Sequence, residues 1–430
     1  MIHLNAAKLS FLVCLGICLC TLMYMKTKVP SPQTEEAVCG IHPNDLCISL
    51  FDDKELGSEC LKLHKLESLL LGAKLNCSHL AEDLHFITSP LSKEEEEYPL
   101  AYIITIHKEL DMFVRLLRAI YAPQNVYCIH VDNKSSEDYK AAVRSLADCF
   151  PNVFLASTTE KVVYGGFSRL QADINCMKDL VRFPATWKNV INLCGQDFPT
   201  KTNYEIIQKL QGEQWRGKSI TPGVKQPHTM RYRTENQHKE IMNPKGPYVQ
   251  PLNLKKGRPP HDLALYFGTA YYSLTRPFVE FVLQDQRAKD LLEWSKDTYS
   301  PDEHYWVTLN RLPGAPGANP EAGWEGNIRS IKWRDQEKMV HDGCKGHYIR
   351  DICVYGPGDL KWVIEQDNMF ANKFDLETYP LAVVCMERWH RLKVLEQANI
   401  TINPAWQLQE EGYIGMSFNT SVYASTQEAT

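Results

Sequence analysis

Strand-like and helix-like segments alternate between residues 101 and 194 of this 430-residue chain. The alternation predicts an α/β fold, in which a mostly parallel sheet has helices on both faces. Ligands of such sheets bind beyond the carboxyl ends of the strands, which places Asp132 and the turn 195–197 beside the expected site. The apolar spacing predicts strands at 101–107, 125–131, 153–156 and 189–194, and helices at 110–121, 136–149 and 168–181.

The second half of the chain has a less regular pattern. The apolar run 266–274 is strand-like, and the spacing of apolar residues predicts one helix at 278–294. The stretch 311–326 is rich in Gly and Pro and predicts an irregular loop. The acidic run 94–97 is typical of a solvated loop.

Composition limits the class of protein. Hydrophobic residues make up 44% and charged residues 23%, which excludes a wholly disordered chain, a fibrous repeat and a protein with many membrane spans. The net charge of −5 provides no basic field, so we expect no nucleic-acid partner. The chain lacks a Gly-rich dinucleotide motif, a P-loop and a G-x-S-x-G turn. It also lacks the Asp-x-Asp pair with which many nucleotide-sugar enzymes hold a metal.

Two histidines and two cysteines superficially suggest a zinc site. The alternative is a local disulfide with two bystander histidines. In an oxidising compartment the disulfide is favoured, so we expect no metal here. The residues concerned are His341, Cys344, His347 and Cys353.

The N-terminal segment predicts a membrane anchor, because its apolar run is near the short end of the length that spans a bilayer. A cleaved signal peptide is the alternative, but the end of the run has no small-residue cleavage site. The expected order is a cytoplasmic tail at 1–8, a transmembrane signal-anchor at 9–25, a lumenal stem at 26–95, a catalytic domain at 96–400 and a C-terminal tail at 401–430.

The cysteines favour an oxidising lumen for the soluble part. Of the 14 cysteines, three lie in the apolar run and an odd number remain, so at least one thiol stays free or joins two chains in a homodimer. Glycosylation sequons, which agree with a type II protein facing the lumen, occur at Asn76, Asn133, Asn399 and Asn419.

Several short motifs occur in a fixed order: Ile129-His-Val-Asp132, Cys194-Gly-Gln-Asp-Phe-Pro199, Ser300-Pro-Asp-Glu303, Tyr355-Gly-Pro-Gly-Asp-Leu360 and Phe370-Ala-Asn-Lys-Phe-Asp375. In these motifs the chain resembles the β-1,6-N-acetylglucosaminyltransferases that make core 2 O-glycan branches and I-antigen branches (glycosyltransferase family 14). The resemblance implies a GT-A-type nucleotide-sugar transferase fold and inverting chemistry without a metal or other cofactor. It implies UDP-GlcNAc as the donor and Gal or GalNAc of a glycoprotein O-glycan as the acceptor. It also implies a single-pass type II protein of the Golgi membrane.

The resemblance assigns residues to catalysis and to donor binding. Glu303 matches the base that takes the proton of the acceptor hydroxyl, and its neighbour Asp302 matches less well. Arg350 and Lys373 match the two cations that hold the UDP diphosphate in place of a metal. From the residues alone, the alternative is that Glu303 is an ordinary residue in the first turn of a helix, where the helix dipole favours a negative charge. Arg350 and Lys373 have the alternative of ordinary surface charges.

Four further residues match positions around the substrates. Asp132 and Tyr164 match positions beside the nucleotide, and Arg231 and Trp333 match positions on the acceptor side. The alternative for each is a structural role, which for Asp132 is to cap the loop after its strand.

Departures from the family pattern lie in segments expected on the acceptor side: 165–167, 245–262, 304–306 and 311–326. They leave open a lumenal UDP- or glycan-binding protein without turnover. A transferase with another donor, such as UDP-xylose, is a further alternative. Glu303 is present, which favours the N-acetylglucosaminyltransferase.

The resemblance also implies a set of disulfides and a free thiol at Cys194. The implied pairs are Cys77 with Cys149, Cys128 with Cys176, Cys344 with Cys353, and Cys385 with Cys47 or Cys39.

Overall fold

The computed structural model describes residues 43–52 and 77–398. The chain divides into two units, residues 1–63 and 64–430. The described part of the first unit is helix α1 (Pro43–Phe51). Within the two described ranges, no helix is both long and apolar enough to cross a membrane. The predicted tail 1–8, anchor 9–25 and tail 401–430 lie outside the described residues.

The second unit contains strands and helices in alternation. Its strands are β1 (Leu100–Ile106), β2 (Val126–Val131), β3 (Val153–Leu155), β4 (Asn189–Cys194), β5 (Asp197–Pro199), β6 (Gly223–Lys225), β7 (Asn236–Ile241), β8 (Tyr248–Lys255), β9 (Tyr266–Gly268), β10 (Ser273–Thr275), β11 (Arg329–Ser330), β12 (His347–Ile349), β13 (Ile352–Val354) and β14 (Phe370–Asn372). Its helices are α2 (Cys77–Asp83), α3 (Lys93–Glu97), α4 (Leu110–Ile120), α5 (Glu137–Ala147), α6 (Phe167–Arg182), α7 (Asn203–Gln211), α8 (Tyr232–Glu235), α9 (Arg276–Gln284), α10 (Gln286–Trp294), α11 (Asp302–Asn310), α12 (Leu360–Ile364) and α13 (Pro380–Gln397).

The main sheet has five strands in the order β10-β4-β1-β2-β3. Four of them run parallel, and β10 is antiparallel at the edge beside β4. The predicted mixed α/β fold and its mostly parallel sheet are therefore confirmed. Smaller sheets have the orders β11-β14-β5, β6-β9, β7-β8 and β12-β13.

Both faces of the main sheet are buried, because β1 contributes alternate side chains to two separate clusters. Tyr102 and Ile104 belong to the cluster that includes residues of α4 and α5. Ala101 and Ile103 belong to the other cluster, with residues of α6, α9 and α11. Burial of every residue of β1 agrees with a parallel strand covered by helices on both sides.

A buried ion pair joins β5 to β11 within the sheet β11-β14-β5, and a further bond from Cys194 connects it to β4 of the main sheet. The Asp197 carboxylate accepts from Arg329 Nε and Nη2 at 3.1 Å each, and neither side chain is exposed. The same carboxylate accepts from the backbone N–H of Cys194, at 2.7 Å, and from the amide of Asn372, at 2.9 Å. Asp197 of the turn 195–197 therefore has a structural role, and it holds the ends of β4 and β14 together.

Three implied disulfides are confirmed, and Cys194 is free as expected. Cys385 is disulfide-bonded as well, and its pairing with Cys47 or Cys39 remains a prediction. The Cys344–Cys353 bond uses the thiols of the suspected zinc pattern, which favours the disulfide alternative. The bonds are Cys77–Cys149, Cys128–Cys176 and Cys344–Cys353.

The prediction of one helix at 278–294 is wrong. The chain forms α9 and α10, separated by Asp285 in an extended conformation (φ −68°, ψ 136°). The Asp285 carboxylate accepts from the N–H of Arg287 at 2.9 Å and caps α10. The apolar spacing continues across the break, so periodicity alone did not reveal it.

The acidic run 94–97 is also not a loop, because it forms most of α3. Ser92 caps this helix by accepting from the N–H of Glu95 at 3.2 Å. Glu95 is buried and accepts from the amide of Asn203 at 2.7 Å, a partner that is distant in sequence. The strand-like run 266–274 is divided between β9 and β10, which belong to different sheets.

We expect Asp197→Ala to lower the free energy of unfolding by about 3–5 kcal/mol, because it leaves the Arg329 charge buried without a partner. Asp367→Ala is the matched control, because Asp367 pairs with Lys209 at 2.7 Å while its side chain is 90% exposed. Its expected cost is below about 1 kcal/mol. Urea unfolding followed by tryptophan fluorescence measures both, and equal effects of the two substitutions would contradict the assignment.

Candidate active site

The carboxyl ends of the parallel strands meet at one edge of the main sheet, as the alternation predicted. Asp132 follows β2 and is buried, and its N–H donates to the carbonyl of Ile106 in β1 at 2.8 Å. Its carboxylate accepts from the N–H of Lys134 at 2.8 Å and from Lys134 Nζ at 2.5 Å. These bonds are the loop-capping role that the sequence left as an alternative, and they use part of the carboxylate.

Lys373 follows β14 at the same edge. Its backbone N–H donates to the carbonyl of Cys353 at 3.3 Å, and its carbonyl accepts from Tyr355 at 3.0 Å. The N–H of the next residue, Phe374, donates to the carbonyl of Gln196 at 2.9 Å. The turn 195–197 therefore positions the backbone beside Lys373.

The ammonium of Lys373 points to the turn that carries Arg350. Lys373 Nζ donates to the carbonyl of Ile349 at 3.3 Å, and Arg350 lies between β12 and β13 with a positive φ of 51°. Burial lowers the pKa of Lys373; the free Cys194 opposes this shift, and the Arg350 charge adds to it. Two cations are thus held close together.

Among the described residues, Arg350 and Lys373 have no carboxylate partner, unlike Arg329 and Lys332. Arg329 is buried against Asp197, as described above. Lys332 is buried between Asp342, at 2.8 Å, and Asp359, at 2.9 Å. Arg350 is exposed and Lys373 is half-buried. Because the two neighbouring cations have no carboxylate partner in the described ranges, they form a candidate site for an anion that comes from outside the chain.

Tyr164 connects this anion site to the next element. The Arg350 guanidinium lies 4.1 Å from the centre of the Tyr164 ring, which is 58% exposed. Burial raises the pKa of the Tyr164 phenol, and the Glu303 carboxyl raises it further, whereas Arg350 lowers it. The ring is therefore close to both Arg350 and Glu303.

The segment after Tyr164 requires glycine at two positions. Gly165 has a φ of +72°, and its carbonyl accepts from the N–H of Ser300 at 2.7 Å, just before α11. A Cβ atom on Gly166 would lie 2.1 Å from Oε1 of Glu240 in β7. The Glu240 carboxylate accepts from the N–H and Oγ of Ser168 at 2.7 and 2.8 Å, so the β7–β8 hairpin contacts the start of α6.

Glu303 lies in the first turn of α11 with a side chain that is 31% exposed. It forms an ion pair with Arg233. Burial raises the pKa of Glu303 to about 7, although the Arg233 charge lowers it; the nearby Asp302 carboxyl also raises it. The carboxyl therefore titrates near neutrality, which suits a general base.

Asp302 faces a different environment. It is buried, and its pKa is raised by burial and by Asp173, with Arg169 acting in the opposite direction. Arg169 itself forms an ion pair with Asp173 on α6. Asp302 thus faces the interior beside this pair, which leaves Glu303 as the accessible carboxyl of the motif.

Sequence reasoning missed Arg233. Its guanidinium lies over the rings of Phe267, Tyr299 and Tyr232 at 5.2, 5.3 and 5.8 Å. These rings fix the cation beside Glu303. The segment 230–233 contains two arginines, and no spacing rule distinguishes the one that reaches the base. The surrounding aromatic residues were the available signal.

The two acceptor-side expectations have a different outcome. Arg231 is exposed, and Trp333 is 37% exposed and bridges to Ile352 beside the β12–β13 hairpin. No contact described in the structure joins either residue to Glu303. The structure thus brings together Tyr164, Glu303, Arg350 and Lys373.

Within the described residues, one group of side chains has ligand atoms close enough for a metal. It consists of Cys344, Cys353 and Asp359, and its two cysteines form a disulfide. The Asp359 carboxylate moreover forms an ion pair with Lys332. This group therefore does not fit a metal site.

Comparisons with known proteins identify similar chains. The model of the Core-2/I-Branching enzyme family matches residues 100–364. The human probable β-1,3-galactosyl-O-glycosyl-glycoprotein β-1,6-N-acetylglucosaminyltransferase 7 is 54% identical over 431 residues, which cover 97% of this chain and 100% of that protein. The human N-acetyllactosaminide β-1,6-N-acetylglucosaminyl-transferase is 58% identical over 322 residues, 75% of this chain and 79% of that protein. The human β-1,3-galactosyl-O-glycosyl-glycoprotein β-1,6-N-acetylglucosaminyltransferase is 42% identical over 332 residues, 75% and 76% of the two chains.

We expect Arg233→Met to raise the pKa of Glu303 above its value of about 7, because the substitution removes the charge that favours the carboxylate. Titration of the Glu303 carboxyl by carbon NMR measures the shift. Arg231→Met is the control, because this exposed neighbour has no described contact with Glu303. An unchanged titration in Arg233→Met would contradict the role of the ion pair.

Proposed function

The chain belongs to the Core-2/I-branching enzyme family, and on that premise we propose that it transfers N-acetylglucosamine from UDP-GlcNAc, in β-1,6 linkage, to Gal or GalNAc of O-glycans or related glycans. The predicted family and the predicted enzyme class, a glycosyltransferase, are confirmed by the comparisons. The observation that carries the finer proposal is the pair of unpaired cations, Arg350 and Lys373, which Tyr164 links to the Glu303 carboxyl, whose pKa is raised to about 7.

The donor side of the proposal uses the cations. Arg350 offers a planar fork to the diphosphate oxygens, and Lys373 adds a point charge, so together they supply the positive charge that a metal gives elsewhere. The exposed ring of Tyr164 is placed to pack beside the base of the nucleotide. Asp132 lies at the strand edge and has free acceptor capacity for the nucleotide. We therefore propose that no metal takes part.

The chemical step is a single displacement at the anomeric carbon of the donor sugar. Glu303 takes the proton of the acceptor 6-hydroxyl as that oxygen forms its bond to the anomeric carbon. The bond from this carbon to the diphosphate breaks, and the configuration inverts. UDP leaves with its charge held by Arg350 and Lys373. Arg233 stabilises the ionised form of Glu303 before the acceptor arrives.

The proposed setting is the lumen of the Golgi, with a single-pass type II anchor and glycoproteins as acceptors. The three disulfides of the second unit agree with an oxidising compartment. The parallel sheet with its ligand edge supports a GT-A-type fold.

We expect Glu303→Gln to reduce the rate of transfer by about 10²–10⁴-fold, because the amide cannot take a proton. In the wild type, protonation of Glu303 removes the base, so kcat/KM should fall about tenfold per pH unit below a pH of about 7. The assay uses the full-length protein in detergent, UDP-GlcNAc, EDTA and a panel of core 1, core 3 and polylactosamine acceptors.

The control for this experiment is Glu293→Gln, since Glu293 is an exposed carboxylate that pairs with Lys296 on the protein surface. It should retain full activity. Wild-type protein that binds UDP but forms no product on any acceptor would overturn the proposed transfer. A wild-type rate that depends on added metal would overturn the role given to the cations.

We expect Arg350→Gln to weaken UDP binding about 10–100-fold, because it removes a charged donor to the diphosphate. Arg334→Gln is the matched control: Arg334 also lies over a tyrosine, 4.6 Å from the Tyr348 ring, but it pairs with Asp351 at 3.2 Å. Calorimetry with UDP and EDTA measures both affinities. Equal binding by the Arg350→Gln variant and the wild type would place the diphosphate elsewhere.

A further inference from the structure

An exposed tryptophan extends the aromatic surroundings of the catalytic base. Trp324 lies in the Gly- and Pro-rich loop 311–326 and is 47% exposed. Its ring lies 6.4 Å from that of Phe267, at an angle of 76°. Phe267 in turn contacts Arg233, at 5.2 Å, and His304, at 5.5 Å, which are the partner and the neighbour of Glu303. The surface of Trp324 and Phe267 is therefore continuous with the base.

Both rings are held on one rigid frame. The carbonyl of Gly323, next to Trp324, accepts from the N–H of Gly223 in β6 at 2.9 Å. Arg311 Nη2 donates to the carbonyls of Gly223 and Gly323 at 3.1 and 3.4 Å. β6 pairs with β9, where Val224 lies opposite Phe267. The loop position beside Trp324 is therefore fixed to the strand pair that carries Phe267.

The chemistry of this surface fits a sugar ring. An exposed indole gains from covering apolar surface, and the C–H face of a hexose is apolar while its edge carries hydroxyls. Glu325, the next residue, is exposed; its Oε1 accepts from the N–H of Gly323 at 2.7 Å, which leaves Oε2 as an acceptor for a hydroxyl. The cation beside this surface, Arg311, is buried and donates to backbone carbonyls, unlike the exposed Arg350, so the surface does not suit the donor diphosphate.

We propose that Trp324 and Phe267 bind the sugar residue of the acceptor glycan that neighbours the residue carrying the attacking hydroxyl. This inference rests on the proposed function and extends it. On the donor side, Tyr164 lies between Arg350 and Glu303, whereas Phe267 reaches Glu303 through Arg233. A chain of two sugars can then place one ring against Trp324 and the other beside Glu303. The loop 311–326 thus determines which glycans are accepted.

The test uses the full-length protein in detergent with N-acetyllactosamine as the acceptor probe. Trp324→Ala should raise the KM for the acceptor about tenfold, since it removes the aromatic contact, and should leave kcat and the KM for UDP-GlcNAc unchanged. Trp324→Phe should restore most of the affinity. Met339→Ala, which removes an apolar side chain that is 76% exposed and lies outside the segments expected on the acceptor side, is the control and should have no effect.

A second measurement separates this inference from the proposed function. In the presence of UDP, saturation-transfer NMR should detect N-acetyllactosamine on the wild type and lose the signal in Trp324→Ala. A wild type that forms no product but shows this Trp324-dependent signal would overturn the transfer and keep the sugar site. Three results for Trp324→Ala would each overturn the sugar site. They are an unchanged KM for the acceptor, a rise in the KM for UDP-GlcNAc as well as for the acceptor, and an N-acetyllactosamine signal that persists in the variant.

Discussion

The arrangement of the site depends on the buried ion pair between Asp197 and Arg329. A single carboxylate holds the end of β4, the amide of Asn372 and the guanidinium of β11. Lys373 follows Asn372 directly, so its position relative to the main sheet is a consequence of this pair. A charge pair with no exposed surface tolerates little displacement, because each partner left alone would be a costly buried charge. The position of Lys373 is therefore determined by the interior of the fold.

Local patterns predicted the α/β fold because each strand and helix between residues 100 and 194 carries its own periodicity. These patterns failed where a contact with a residue distant in sequence, or a local cap, determines whether a segment is helical. The predicted helix at 278–294 is divided in two because Asp285 caps its second half. The run 94–97 is helical, and its Glu95 accepts a hydrogen bond from the amide of Asn203. In the site, ordered motifs pointed to Glu303, Arg350 and Lys373, which the structure brings together. Arg233 was missed because its selection depends on rings from three different segments, and Trp324 because a loop sequence gives no direction to its side chain.

Charges in this molecule fall into two groups with different surroundings. Arg329 and Lys332, which stabilise the fold, are neutralised by carboxylates of the chain. Arg350 and Lys373 keep their charge available, and burial together with the nearby Arg350 charge lowers the pKa of Lys373. Beside Glu303, aromatic rings surround one arginine, Arg233. The site thus combines an electrostatic part at Arg350 and Lys373 with an aromatic part around Arg233.

The contact between Gly166 and Glu240 has a consequence for how such a chain can change over time. The carboxylate fills the space that any side chain at position 166 would need, and it also satisfies the first turn of α6. A mutation of Gly166 alone would displace Glu240, and a mutation of Glu240 alone would leave the N–H of Ser168 without its partner. A substitution at either position therefore disturbs the other, so the β7–β8 hairpin and the loop after Tyr164 are coupled through this carboxylate.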